Sequence, residues 1–293
     1  MAAALAPISF PHPGRRALRR RLADFLGWGL CGLAFLLLGS ATVWILVVIF
    51  LRGMSALHLN LLTQVTQGTA GGLLNAIEGT LVLALGGILL ALPPGLATGI
   101  YLAEYDRGRL ASIIRFLADV LVGVPSIVVG YFVYVAMVIA FGWGFSMAAG
   151  SVALAIIGLP YICRTSEMAI RQVPRSLRDA AFALGASDAR VTFTISLPIA
   201  LPGITTGILL ALAIGVGETA PLIYTADWSN YLWTGHLTKE PIGYLTYVIY
   251  AFITQPFESA HALAYAAALL VTLFVLIIGV ISRMLLVRSS RAL

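Results

Sequence analysis

Residues 173–198 read VPRSLRDAAFALGASDARVTFTISLP, and the rest of the chain is organised around this stretch. Ser176, followed three residues later by Asp179, has the spacing of a capping box. Ala180 to Leu184 favours helix, and Gly185 breaks it, as glycine does just past a helix end. Ser187 is placed to cap a second short helix, and Pro198 is expected to stop the segment. The stretch therefore reads as a helix–turn–helix with small residues, Ala180 and Ala181, on a face that another protein could approach closely. An amphipathic loop packed beneath its own chain fits the same spacing.

On both sides of this stretch the chain is strongly apolar. Of its 293 residues 60% are hydrophobic and only 10% charged, with a mean hydropathy of +0.98. A soluble domain carries about a quarter charged residues, so an ordinary soluble globule and a disordered chain are both excluded. Apolar runs cover residues 25–51, 76–101, 116–141, 146–162, 203–223 and 262–285, most of them long enough to cross a hydrocarbon layer about 30 Å thick. Barrel strands would alternate apolar and polar residues instead. The expected fold is an all-α membrane protein with six transmembrane helices. Cys31 and Cys163 lie far apart in or beside apolar runs and imply no disulfide framework.

Charge placement orients these spans. Of 18 lysines and arginines, all but Arg52 and Lys239 fall on one side when the N-terminus is put inside. Basic residues stay on the cytoplasmic face, so both termini are expected in the cytoplasm. The net charge of +6 is read as topogenic, with no nucleic-acid partner and the lipid bilayer as surroundings. The implied organisation is a basic tail over 1–24, a first transmembrane anchor over 25–51 and an outer loop over 52–73. A transmembrane domain over 74–285 follows, with a charged inner loop at 163–202, and then a tail over 286–293. Residues 142–145 make a tight outer turn, and 224–261 form an outer loop rich in aromatics, expected to lie against the bilayer or a partner.

Soluble-enzyme chemistry is not legible. No Gly-x-x-x-x-Gly-Lys-Ser/Thr phosphate loop occurs, and the sole lysine, Lys239, is on the outer side. The four histidines show no metal-site spacing, and no Ser/His/Asp constellation stands out. The chain is expected to be non-catalytic, with no cofactor or metal of its own.

The pattern acid–Ala–Ala, Gly six residues after the acid, Ile ten further on, then Leu-Pro, resembles the signature loop of ABC-importer permeases. Asp179, Ala180, Ala181, Gly185, Ile195, Leu197 and Pro198 fill it, with Asp179 where the family more often has Glu. NAIEGT (75–80), ALPPGLATGIYLAEY (91–105), GVPSIVVG (123–130), ALGAS (183–187) and GETAPLIYTA (217–226) further resemble phosphate-importer permeases of the PstA type, from about Gly71 to Met284. The resemblance implies the type I ABC importer permease fold in a bacterial cytoplasmic (inner) membrane. It implies Asp179, Ala180, Ala181 and Gly185 as the ATPase-docking residues. It also implies a paralogous PstC-type permease, two ATPase subunits that use ATP and Mg, and an extracytoplasmic phosphate-binding protein. A permease for another oxyanion (sulfate, molybdate, phosphonate) and a scaffold or signalling subunit remain as alternatives.

Within the fifth span Gly203, Gly207, Ala211 and Gly215 recur every fourth residue and stack on one helix face, a seam for close helix packing. Glu218 falls on nearly the same face and is expected to point into the packed interior or pathway. A carboxylate in hydrocarbon costs about 2.5–3.5 kcal/mol on the lenient insertion scale, so it reads as a gate or pathway residue, or as an ion pair with a partner permease. Thr219, Ser126 and Thr80 are neutral pathway candidates, and Glu78 and Asp119 are weaker ones. The family commonly has Arg three residues before the Gly of Gly-Glu-Thr; here Ile214 stands there. Apart from Arg283 at the inner end of the sixth, the spans as drawn contain no Lys or Arg. Pro93, Pro94 and Pro125 are expected to kink the second and third spans.

Overall fold

The computed structural model describes residues 15–105 and 108–289. The start of the basic tail, Arg107 and the end of the C-terminal tail therefore lie outside the described residues. The described elements are helical apart from one small hairpin: α1 (Arg15–Ala56), α2 (Leu59–Thr63), β1 (Thr66–Gln67) paired antiparallel with β2 (Ala70–Gly71), α3 (Leu74–Glu104), α4 (Arg109–Gly123), α5 (Ser126–Val133), α6 (Met147–Arg171), α7 (Arg175–Ala183), α8 (Asp188–Val191), α9 (Leu197–Gly217), α10 (Ala220–Thr225), α11 (Leu245–Phe252) and α12 (Glu258–Ser289).

The chain divides into two compact units between Leu51 and Arg52. The first holds most of α1, which is helical from Arg15, well before the expected start of the anchor at residue 25, and whose side chains from Arg19 onward are nearly all exposed. In the second unit the last turn of α1 meets α12. There Arg52 Nη1 donates to the Tyr265 hydroxyl at 3.0 Å, and Gly53 lies against Tyr265 and Leu269 closely enough that a methyl would not fit.

Five helices among the described residues are long and apolar enough to cross a membrane: α1, α3, α6, the run Asp188–Gly217 and α12. The expected third span is not one rod. α4 and the segment Ser126–Ala140 meet at 99°, because Pro125 cannot donate a backbone hydrogen bond and Val124 before it is extended (φ −74°, ψ 127°). The segment then continues as π-helix over Tyr134–Ala140 and ends where Gly142 and Gly144 adopt positive φ.

The interior is built from small residues. α3 lies along α6 with Gly87 against Leu154 and Gly99 against Ser166 at separations that leave no room for a Cβ, and with Gly95 against Ile162 nearly as close. Ala91, Ala155, Ile162 and Ala211 bury the middle of α3, α6 and α9. Where lipid is as apolar as leucine, such close backbone approach supplies the packing. Part of the outer aromatic loop turns inward, while Tyr231 and Tyr250 stay exposed. Ile242, Tyr244, Leu245 and Val248 are buried in the unit itself, and Leu245 N donates to Thr80 Oγ1 at 2.9 Å. Tying its backbone to α3 satisfies groups that lipid could not.

Candidate functional site

Two helices break where the spans should be continuous, and the breaks face each other. α9 ends at Gly217, and Glu218 is extended (φ −72°, ψ 135°) before Pro221 opens α10. Across from it α4 gives way to α5 at Val124–Pro125. Gly130 of α5 packs directly on Pro221. The Glu218 carbonyl, freed by the break, accepts from Thr246 Oγ1 at 2.7 Å. The side chains of Glu218 and Ser126 line one cavity of about 210 Å³ whose other walls are Leu121, Val122, Val124, Val129, Ile156, Ile157 and Tyr161. A chamber that sets one carboxylate, a serine hydroxyl, a tyrosine and the first turn of a helix among apolar side chains can admit a small polar solute and position it. Broken helices at membrane depth are tolerated where they line such a cavity.

The other sequence candidates separate from this chamber. Thr80 is buried and donates to the Ala76 carbonyl at 2.7 Å while accepting from Leu245 N, so its hydroxyl joins α3 to the outer segment. Thr219 precedes α10, and its carbonyl accepts from Leu222 and Ile223. Glu78 accepts from Trp233 N at 3.3 Å and holds the outer loop. Gly203 and Gly207 sit against Ala169 and Thr165 of α6 with no space for a methyl, and Ala211 is buried. Gly215 has only Leu154 Cδ1, 4.0 Å from a Cβ placed on it.

At the opposite end of α6, three arginines surround Glu167, a residue that pattern reading passed over. Its carboxylate is 5% exposed and pairs with Arg115 Nε (2.7 Å), Arg171 Nε (3.1 Å) and Arg164 Nη1 (3.2 Å). Arg164 also forks onto Asp119, which accounts for Asp119 without a transport role. The signal was present: Arg164 and Arg171 flank Glu167 at i−3 and i+4, on one helix face. This corrects the expectation that, Arg283 aside, the spans hold no basic residue. α4 and α6 run about a turn or more beyond the hydropathy limits and carry Arg115, Arg164 and Arg171 within them. The residues drawn as the start of the inner loop, 163–171, are helix for the same reason: their charges neutralise one another.

The segment after α6 is two short helices, with differences in detail. α7 starts behind Pro174 with no side-chain cap, so Ser176 and Asp179 form no capping box; the fixed φ of Pro174 sets the entry instead. Gly185 (φ 81°) closes α7, its N–H bonding Phe182 O and the Ala186 N–H bonding Ala181 O, the paired bonds of a Schellman ending. Ser187 Oγ accepts from Arg190 N at 3.4 Å and caps α8. Pro198 does not stop the helix: α8 passes through a π-helical turn at Thr192–Ser196 into α9. The wider turn accommodates the missing N–H and the ring. Asp179 and Ala180 are exposed, whereas Ala181 is buried against the chain itself. Leu177, Ala180 and Leu184, one face at helical spacing, are exposed, Leu184 by 89%.

The family described as binding-protein-dependent transport system inner membrane component matches residues 95–291. Phosphate transport system permease protein PstA 2 of Mycobacterium bovis is 47% identical over 275 residues, 93% of this chain and 91% of that protein. Phosphate transport system permease protein PstA of Yersinia pestis is 42% identical, covering 85% and 84%. Among solved structures, a chain of the inward-facing MetNI methionine ABC transporter superposes with a TM-score of 0.63 at 19% identity, over 74% of this chain and 95% of that one. That likeness is one of fold.

Proposed function

This chain belongs to the family of binding-protein-dependent transport system inner membrane components, and from that premise we propose that it is the phosphate-conducting permease subunit of an ATP-driven importer. The observation that carries the reading is the 47% identity, across 93% of the chain, to a protein named as a phosphate transport permease. The site geometry supports it. α8 and α9 form one run, Asp188–Gly217, roughly 45 Å long at 1.5 Å per residue. One end carries the exposed turn at Gly185 and the other ends at Glu218 in the chamber. A push on the turn therefore shifts the wall of the cavity.

In this reading α7 and the Gly185 turn dock in the cleft of a cytoplasmic ATPase, which uses ATP and Mg. The exposed face of Leu177, Ala180 and Leu184 supplies apolar contact, and Asp179 a charge at its margin. Both termini lie in the cytoplasm of a bacterial inner membrane. Phosphate released by an extracytoplasmic binding protein passes the chamber, where Ser126 and the N-terminal turn of α5 offer donors. Glu218 repels the anion while the gate is closed, and the positive charge that an anion needs in low dielectric comes from a paralogous PstC-type permease. The chain binds no cofactor.

Co-expression with the ATPase, the paralogous permease and the binding protein, followed by phosphate uptake into proteoliposomes, tests the proposal. ATP-dependent uptake that stops when this chain is omitted is the expected result. Uptake of sulfate or molybdate in place of phosphate would overturn it. Thiol labelling of Ser229→Cys from outside and of Ser187→Cys only from inside tests the orientation.

A further inference from the structure

We propose that Arg178 is the positioning residue that fastens the docking helix to the membrane helices, so that movement of α7 is transmitted to α3 and α6 instead of being absorbed in its linkers. The inference rests on the reading of α7 as the ATPase-docking element.

α7 is attached to the chain through Val173–Pro174 on one side and the Gly185 turn on the other. Between them, one guanidinium spans three helices. Arg178 Nη1 pairs with Glu104 Oε2 at 3.2 Å, and Nη2 donates to the Ile170 carbonyl at 2.6 Å. Glu104 is the last residue of α3, and Ile170 lies in the last turn of α6. A cation is favoured there, because helix C-termini present unsatisfied carbonyls and the negative end of the dipole. The side chains are only 17% and 11% exposed, so water screens the pair weakly.

Close packing does not make this connection. A cavity of about 350 Å³ opens between α7, α8 and the end of α3, with Glu104, Arg178, Phe182 and Val191 in its walls. The polar link crosses the margin of a gap that apolar side chains leave unfilled. Glu104 Oε1 and Arg178 Nε are also buried without a partner among the described residues. α3 and α6 interlock through Gly87, Gly95 and Gly99, so a pull on Arg178 moves both helices as one body while the continuous α8–α9 run moves the third.

The test uses the complete complex in proteoliposomes with Arg178→Gln, Arg178→Lys and Glu104→Gln, the last preserving shape. Phosphate uptake, ATP hydrolysis and the amount of ATPase co-purified are measured together. For Arg178→Gln the ATPase stays bound and hydrolysis stays near the parent rate, while phosphate moved per ATP falls about tenfold, the factor expected from losing charge-assisted bonds that hold a two-state element. Arg178→Lys keeps a charge for Glu104 but not the fork, and it recovers part of the ratio; Glu104→Gln also lies between. An unchanged ratio, with uptake and hydrolysis falling together or neither falling, overturns the proposal. So does loss of the ATPase from the Arg178→Gln complex, which would make Arg178 part of the docking contact itself. A parent complex that hydrolyses ATP without moving phosphate would instead refute the functional reading.

Discussion

Glu218 and Ser126 belong to different broken helices and line the same cavity, which both breaks open. Glu218 is the extended residue after α9 and Ser126 the first residue of α5, each beside a break with a proline nearby. A carboxylate at membrane depth is tolerable because it has a polar chamber in front of it. Glu218→Gln keeps the shape of the side chain but removes the charge. It is expected to leave assembly intact and to raise the passive leak of anions, read as phosphate efflux from loaded proteoliposomes without ATP. Ser126→Ala removes a hydroxyl from the wall of the chamber, and uptake is expected to fall by about tenfold, the equivalent of one hydrogen bond to a charged group, here the anion in transit.

Ile214 stands half-buried on α9, one turn before the break at Glu218. A guanidinium there would face the same region as the carboxylate, which supplies its counter-charge. Ile214→Arg should insert normally and maintain or increase phosphate uptake. Loss of assembly with the partner permease would show instead that Ile214 is a packing residue.

Gly185 has φ 81° with nothing within 4 Å of a Cβ placed on it. Space is open, so the penalty of substitution is conformational. A β-branched residue in the left-handed region costs about 1–2 kcal/mol. Gly185→Val is expected to spoil the turn and uncouple ATP hydrolysis from uptake while the chain still inserts. Gly185→Asn, which tolerates this conformation, should be milder. Uptake per ATP hydrolysed, compared between the two, checks the prediction.

Glu167 is buried among three arginines, whereas Asp119 is 60% exposed. Removing the partner from a buried ionic cluster costs about 3–5 kcal/mol, because the remaining charges lose their compensation. Glu167→Ala should destabilise the chain by that amount, and Asp119→Asn by about 1 kcal/mol or less. Cys163, 1% exposed one turn from Glu167, reports opening of this end, and the rate of its alkylation in detergent measures both effects.

Gly207 and Gly215 sit on the same face of α9 but in different surroundings. A methyl at 207 collides with Thr165, and one at 215 touches nothing closer than Leu154 Cδ1 at 4.0 Å. Gly207→Ala is expected to lower stability by about 1–3 kcal/mol. Gly215→Ala is expected to be neutral, or to raise stability by up to about 1 kcal/mol through helix propensity. Thermal unfolding of the two variants separates them.

Much of this was readable in one dimension. The apolar runs, the glycine turn at 185 with Ser187 capping the next helix, and the four-residue spacing on α9 all depend on neighbours in sequence, where helix geometry and hydropathy act directly. The readings that failed depend on distant partners. Pro198 reads as a stop, but a π-helical turn five residues wide accommodates it. Ala181 reads as a contact face for another protein, but its own chain covers it. The outer aromatics read as a loop against the bilayer or a partner, and Tyr231 and Tyr250 are exposed, but Tyr244 turns inward and is 1% exposed.

By itself the sequence determined that the chain is a bundle of apolar helices, which segment makes the turn between two short helices at Gly185, and which family it resembles. Hydrophobic length, helical period and turn chemistry are local properties written in residue order. Only the tertiary structure decided that Glu218 faces Ser126, that Glu167 gathers Arg115, Arg164 and Arg171, and that Arg178 joins the ends of α3 and α6. In low dielectric a polar group must find a partner wherever the fold brings one near, and nothing in the order of residues states which distant group that is.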